Sequence, residues 1–221
     1  MLRSEGQAAL TASAAQEAKR LGFVARSALK LKEIQERFNV VPCGGAVLDL
    51  GCSPGAWLQV ACLALGPVGG GRVLGVDLKE TTPPSRHCDA RVSVIRADAR
   101  TLNSTHLGTS SFHCVLSDMC PDTTGCSSTD AARSAALAHT ALALALGLDE
   151  QQDGEATLPH GGVLRPGGAL VVKLLEGPGG ARGELQALCK PRFARVAWVR
   201  PKATRSESRE VYLVALGRRA S

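Results

Sequence analysis

A lysine sits where a lysine is hard to keep. The stretch "LVVKLLEG" (170–177) has the apolar run of a strand buried on both faces, with Lys173 in its middle. An unpaired ammonium is among the costliest groups to bury, so Lys173 must be neutralised, paired or put to chemical use. A second stretch, "LDLGCSPGAW" (48–57), runs a buried strand into Gly51, then Pro54 and Gly55, then a helix. Glycine lets a backbone come close to a ligand, and a helix N-terminus offers free N–H groups to a negative group. The spacing is not G-x-G-x-x-G, which disfavours a nicotinamide enzyme. Three aspartates follow at predicted strand ends: Asp77 after "RVLGV", Asp98 after "RVSVIRA" and Asp118 after "HCVLS". Taken singly, each reads more naturally as a turn residue or helix cap. Open α/β sheets bind ligands at the carboxyl ends of their strands, and there the three form a set with the glycine turn. Asp77 suits a ribose diol, Asp98 an adenine amine, and a nearby carboxylate a positive centre. That set points to S-adenosylmethionine.

Those side chains meet only if the strands that carry them lie side by side. Residues 14–38 have helical composition broken at Gly22. Strands are predicted at 46–51, 72–78, 91–98, 113–119 and 169–175, with helices at 57–65 and over an alanine-rich stretch, 135–148. A helix at 183–193 and strands at 194–201 and 210–216 finish the chain. Strands alternating with helices argue for a doubly wound parallel sheet. Only "KATRSESR" separates the last two strands, too short for a parallel crossover, so that pair is expected to be antiparallel. The expected fold is α/β: a class I methyltransferase (Rossmann-like) sheet of seven strands, mostly parallel, with helices on both faces and a C-terminal hairpin. An N-terminal helical arm, 1–38, would pack on the domain formed by 39–221. The polar insert "GLDEQQDGEATLPHGG" (147–162) is expected to be an exposed loop.

Composition narrows the class. The 221 residues are 44% hydrophobic, enough for one good-sized domain, and no apolar run is long enough to span a membrane. The net charge of +6 favours an acidic partner such as nucleic acid, with the basic residues gathered near the two ends of the chain. Aromatic residues make up 3%, which argues against a base-stacking platform and for phosphate contacts. None of the eight cysteines forms C-x-x-C or has a histidine at zinc-ligand spacing, so free thiols in an intracellular protein are expected, with no metal.

Five segments carry a resemblance, in order: "RSALKLKEI" (26–34), "LDLGCSPGAW" (48–57), "LSDMCPDTTG" (116–125), "LRPGGALVVKLLEG" (164–177) and "SREVYLVALG" (208–217). From about Ala18 to Arg218 the chain resembles the FtsJ/RrmJ ribosomal RNA 2′-O-methyltransferases. That family uses a lysine–aspartate–lysine–glutamate tetrad. The resemblance puts Lys30, Asp118, Lys173 and Glu210 on those positions, and Gly55, Trp57, Asp77, Asp98 and Asp118 on cofactor-contacting ones. Without it, Lys30 would read as a solvated helix face and Glu210 as a strand-edge charge. The implied role of Lys173 is to contact a ribose 2′-oxygen, with Asp118 and Glu210 orienting it and Lys30 completing the network. Burial and a second lysine lower the pKa of Lys173 while two carboxylates raise it, and the sequence does not rank these effects. The chain departs from the family at Cys120, where alanine is usual, and at Ser53 and Ala56 in the glycine turn.

The resemblance implies RNA as partner: large-subunit ribosomal RNA in a pre-ribosomal particle, at a uridine of the A-loop. The alternatives are a tRNA anticodon loop, which Asp122 recommends, and an assembly factor that binds RNA without methylating it. The N-terminal helix and the 200–209 loop are the expected RNA-binding faces. The protein is expected to act as a monomer off the membrane. The Ala/Ser-rich N-terminus and the cysteines favour a mitochondrial location over a bacterial-type cytoplasm.

Overall fold

The computed structural model describes residues 14–67, 69–107, 111–148, 161–179 and 181–220. A helical segment at 14–21 (α1) and α2 (Ser27–Phe38) precede the sheet. There follow β1 (Ala46–Leu50), α3 (Ala56–Ala64), β2 (Arg72–Asp77) and β3 (Val92–Arg96). A 3-10 turn (Ala99–Thr101) and the one-turn helix α4 (Ser104–Leu107) lead to β4 (Phe112–Ser117). The chain ends with α5 (Ser127–Leu146), β5 (Leu164–Leu175), α6 (Ala181–Cys189), β6 (Phe193–Val199) and β7 (Glu210–Arg218).

The seven strands lie in the order β3-β2-β1-β4-β5-β7-β6. β1 to β5 are parallel, and β7 runs antiparallel to both β5 and β6. This is the sheet expected from the sequence. Its order reverses between β1 and β4, which opens a crevice beyond their carboxyl ends.

Both faces are covered, so the central strands are apolar almost throughout. Val47 of β1 packs into a core that includes Ala28, Leu31 and Ile34 of α2 and Trp57 and Leu58 of α3. Leu48 and Leu50 point the other way, into a core shared with Ala138, Ala141, Leu142 and Ala145 of α5. α2 is therefore built into the core, and that packing fixes the position of Lys30.

Four boundaries differ from expectation. α5 begins at Ser127 rather than Ala135, because Asp130 accepts hydrogen bonds from Thr124 N (2.8 Å) and Oγ1 (2.9 Å) and anchors a polar first turn. β5 begins at Leu164 rather than 169: Phe112 pairs with Leu164 and Cys114 with Ala169, so an irregularity absorbs the Pro-Gly-Gly stretch. α6 stops at Cys189 rather than 193, since Pro191 resists helix and Phe193 is buried at the start of β6. β3 ends at Arg96, so Asp98 lies beyond the strand and caps the 3-10 turn. The loop expected at 147–162 falls largely at 149–160, outside the described residues. Its flanks meet: a Cβ on Gly147 would sit 2.4 Å from Gly162 N.

Candidate active site

The glycine turn closes over the ends of β1 and β2. Gly51 (φ 77) donates its N–H to Val76 O at 2.8 Å, and a Cβ there would lie 2.9 Å from Met119 Cα. Gly55 (φ 101) precedes α3, and its Cβ would lie 2.6 Å from Pro84 Cδ. Positive φ together with close contact, to the Met119 backbone at Gly51 and to the Pro84 ring at Gly55, demands glycine at both places. Pro54 lies between them and follows a cis peptide bond. Asp77 holds the turn: its Oδ2 accepts from Ser53 N (2.9 Å) and its Oδ1 from Lys79 N (2.8 Å). A carboxylate has about four acceptor sites, so both oxygens keep capacity for a ligand.

Two predicted cofactor residues stand differently. Asp98 is taken up by its neighbour, with Arg100 Nη2 at 2.6 Å and Arg100 N and Nε at 3.0 Å. Those side-chain and backbone hydrogen bonds hold its pKa below the ordinary carboxylate value. This is the cap-and-ion-pair reading of that aspartate. Trp57 is buried, donating its indole N–H to Ser27 O at 3.0 Å, with its ring 5.7 Å from that of Tyr212. It braces the start of α2 against the interior of the site.

The four tetrad positions come together as two ion pairs. Lys30 Nζ donates to both oxygens of Glu210 at 2.7 Å. Lys173 Nζ lies 3.1 Å from Asp118 Oδ1 and also donates to Asp118 O. Each residue comes from a different element: α2, the exit of β4, β5 and the first residue of β7. Tyr212 joins the pairs. Its hydroxyl donates to Glu210 Oε1 at 2.7 Å and lies 3.0 Å from Asp118 Oδ1. One phenolic proton thus faces two carboxylates, both acceptors only when ionised. The sequence reasoning quoted "SREVY" but passed over this tyrosine. Its signal was there: on a strand Tyr212 shares a face with Glu210, and it pairs directly across from Lys173.

Charge settles the puzzle of the buried lysine. Burial alone would depress the pKa of Lys173, but the Asp118 carboxylate, the Cys120 thiol, Glu210 and the hydrogen bond to Asp118 together raise it above its ordinary 10.5. Burial likewise pushes Glu210 up, yet Lys30, Tyr212 and Lys173 bring it below its ordinary 4.5. Tyr212 is raised well above 10.0 by burial and the two carboxylates, so it keeps its proton. The site is two charged pairs linked by a neutral phenol. It offers an oxygen ligand a fixed ammonium donor.

Asp49 was also missed. It lies in mid-β1 with no exposed surface, and neither carboxylate oxygen has a hydrogen-bond partner. Burial first, then Asp118 and Asp77, raise its pKa well above 3.8. Its signal was the one that exposed Lys173, an ionisable residue inside an apolar strand. Among the described residues no cluster of His, Cys, Asp or Glu could hold a metal ion, and no helix is long and apolar enough to cross a membrane.

The chain can now be set beside known proteins. A Myxococcus xanthus protein named Ribosomal RNA large subunit methyltransferase E is 41% identical over 208 residues, covering 93% of this chain and 88% of its own. One of the same name from Acidiphilium cryptum is 40% identical over 207 residues, covering 91% and 80%. A crystal structure described as a ribosomal RNA methyltransferase from Plasmodium falciparum superposes with a TM-score of 0.70 over 90% of this chain and 100% of that one. At 20% identity that likeness concerns the fold alone. Residues 23–218, which include the glycine turn, both ion pairs and the terminal hairpin, match the family described as FtsJ-like methyltransferase, and the chain belongs to that family.

Proposed function

We propose that this protein transfers a methyl group from S-adenosylmethionine to a ribose 2′-hydroxyl of RNA, at a uridine in the A-loop of large-subunit ribosomal RNA. The observation that carries this reading is the linked pair of ion pairs, Lys30–Glu210 and Asp118–Lys173, set beside the Gly51–Gly55 turn. The cofactor suits the residues present. Gly51 and Gly55 let the turn fold tightly against Met119 and Pro84 at the carboxyl end of β1, and Asp77 keeps acceptor capacity for a ribose diol. Asp77, whose oxygens can accept further bonds, and Asp118 put carboxylates at the crevice, which favours a sulfonium. Gly51, Pro54, Gly55, Asp77 and Asp118 would hold the cofactor, with Trp57 supporting them from behind. Asp98 would have to share its carboxylate with Arg100 to take an adenine amine. When bound, the cofactor supplies an electrophilic methyl group.

The chain's own contribution is alignment and charge. A 2′-hydroxyl is a weak nucleophile, so the geometry of an in-line displacement matters most. Lys173, held charged, donates a hydrogen bond to that oxygen and stabilises negative charge developing on it. It is already protonated and does not take the hydroxyl proton, which passes to water as the methyl–oxygen bond forms. Asp118 fixes the ammonium, and Glu210, Tyr212 and Lys30 fix the side of the site facing α2.

RNA is favoured by the net charge of +6 and by the names of the relatives. A groove of about 480 Å³ runs between α2 and the β6–β7 connection, lined by Lys32, Arg37 and Lys202 with Glu33, Glu36 and Leu29. It adjoins the helix that carries Lys30. We read residues 1–38 as an arm of the same working unit as 39–221, and the unit as a monomer free of metal. The relatives are bacterial and lend nothing to a mitochondrial location, and residues 1–13, on which that expectation leans, lie outside the described residues.

Mapping 2′-O-methyl groups in RNA from cells with and without the protein tests this reading, joined by transfer assays on purified large-subunit particles and naked tRNA. Loss of one large-subunit methyl group is expected. Loss in a tRNA anticodon loop would redirect the substrate. No lost methyl group and no transfer in vitro would leave an RNA-binding assembly factor.

A further inference from the structure

Asp118, Lys173 and Glu210 sit on three chain segments that must keep a common register. One side chain outside the cluster ties all three. Arg209, immediately before Glu210, donates from Nη1 to Glu176 O at 3.0 Å, just past the end of β5. It donates from the same nitrogen to Ser127 O at 3.1 Å and to Ser127 Oγ, at the first residue of α5. Its own carbonyl accepts from Glu176 N at 2.8 Å. Gly177 leaves room for this contact: a Cβ there would lie 3.2 Å from Arg209 Nη1 and 2.5 Å from Ala131 Cβ. From Ser127 the tie continues into the segment that leaves Asp118. Asp130, one turn along α5, holds Thr124 through its N–H and hydroxyl. That segment begins one residue past Asp118, which holds Lys173 through its carboxylate and its carbonyl.

We propose that Arg209 is a positioning residue for methyl transfer, holding the 119–126 segment in register with Glu210 so that Lys173 meets the acceptor oxygen in line. This rests on the proposed transfer to RNA. Geometry of this kind is felt strongly in rate, since small misplacements of reacting groups cost orders of magnitude.

The test compares Arg209→Met and Arg209→Lys with wild type in the full chain. Arg209→Met is expected to lower kcat about tenfold or more, with S-adenosylmethionine affinity within about twofold. Arg209→Lys, which keeps a charged donor, is expected to recover part of that loss. Hydrogen exchange over 119–126 is expected to quicken in the Met variant, a readout that needs no activity. Wild-type kcat in Arg209→Met, or a loss that follows cofactor affinity and is not relieved by lysine, overturns the proposal. If Arg209→Met does not fold, Ser127→Ala removes only the hydroxyl end of the tie, and an unchanged kcat there also overturns it. If wild type transfers no methyl to any RNA, the functional reading fails. The positioning role is then decided by exchange alone, and unchanged exchange over 119–126 overturns it.

Discussion

Lys173 and Asp49 are both ionisable residues inside apolar strands, and their surroundings treat them oppositely. Lys173 has a carboxylate 3.1 Å away that helps raise its pKa, whereas Asp49 has no hydrogen-bond partner among the described residues and burial raises its pKa well above 3.8, favouring the neutral acid. For Lys173→Met, kcat is expected to fall by about 10²–10³, the usual cost of a lost oxyanion donor. Cofactor affinity by calorimetry should hold, and normal turnover would remove Lys173 from its role. For Asp49 the consequence is one of stability. Its folded pKa is raised, so its favourable contribution is complete below the unfolded value of 3.8 and is lost as pH rises towards the folded value. Asp49→Asn does not titrate. It should therefore gain on wild type in melting temperature as pH climbs from about 4 to about 8. Parallel melting curves across that range would show that Asp49 is not held neutral. Lys173 runs the same way at a far higher pH: its contribution is intact below 10.5 and lost only as pH rises through its folded value.

At the scale of elements, the glycine turn is the tightest joint. Gly55→Ala would place a methyl group 2.6 Å from Pro84 Cδ at a φ of 101. We expect a loss of about 1–3 kcal/mol in denaturant melts and a larger loss in cofactor affinity than the stability change alone explains. An alanine variant that binds cofactor normally would mean the Pro84 loop simply moves. Most elements were legible because their patterns are local. The apolar runs of β1, β2 and β4 and the short link before β7 made the mostly parallel sheet and its final antiparallel strands readable. What was not legible depends on contacts between distant residues. The first turn of α5 is secured by Asp130 reaching back to Thr124. The Pro-Gly-Gly start of β5 is drawn into the sheet by pairing with Phe112. In the site, the tetrad was readable through a family likeness, whereas Tyr212 became a link only when β7 was laid opposite Lys173. Asp98 carries an ion pair with Arg100 that its place after β3 did not foretell.

Across the whole molecule, charge and chain order matter most. With a net charge of +6 and a groove beside α2 that holds Lys32, Arg37 and Lys202 as well as Glu33 and Glu36, RNA binding should weaken steeply with salt. Replacing Lys32 and Lys202 by alanine should reduce the slope of log affinity against log salt by about 1–2, at roughly 0.7–0.9 per lost phosphate contact. An unchanged slope would place the RNA elsewhere. β7 is last in sequence, yet it lies between β5 and β6 rather than at an edge. It also carries Glu210, whose partner Lys30 lies 180 residues earlier. Until β7 pairs with both, the facing edges of β5 and β6 are open. Open edges of that kind recruit other chains, so stalled synthesis short of β7 leaves a sticky nascent sheet. The Lys30–Glu210 pair and the joining of β5 to β6 through β7 arrive in the same step, so a chain whose ion-pair cluster is complete has already passed its own folding checkpoint.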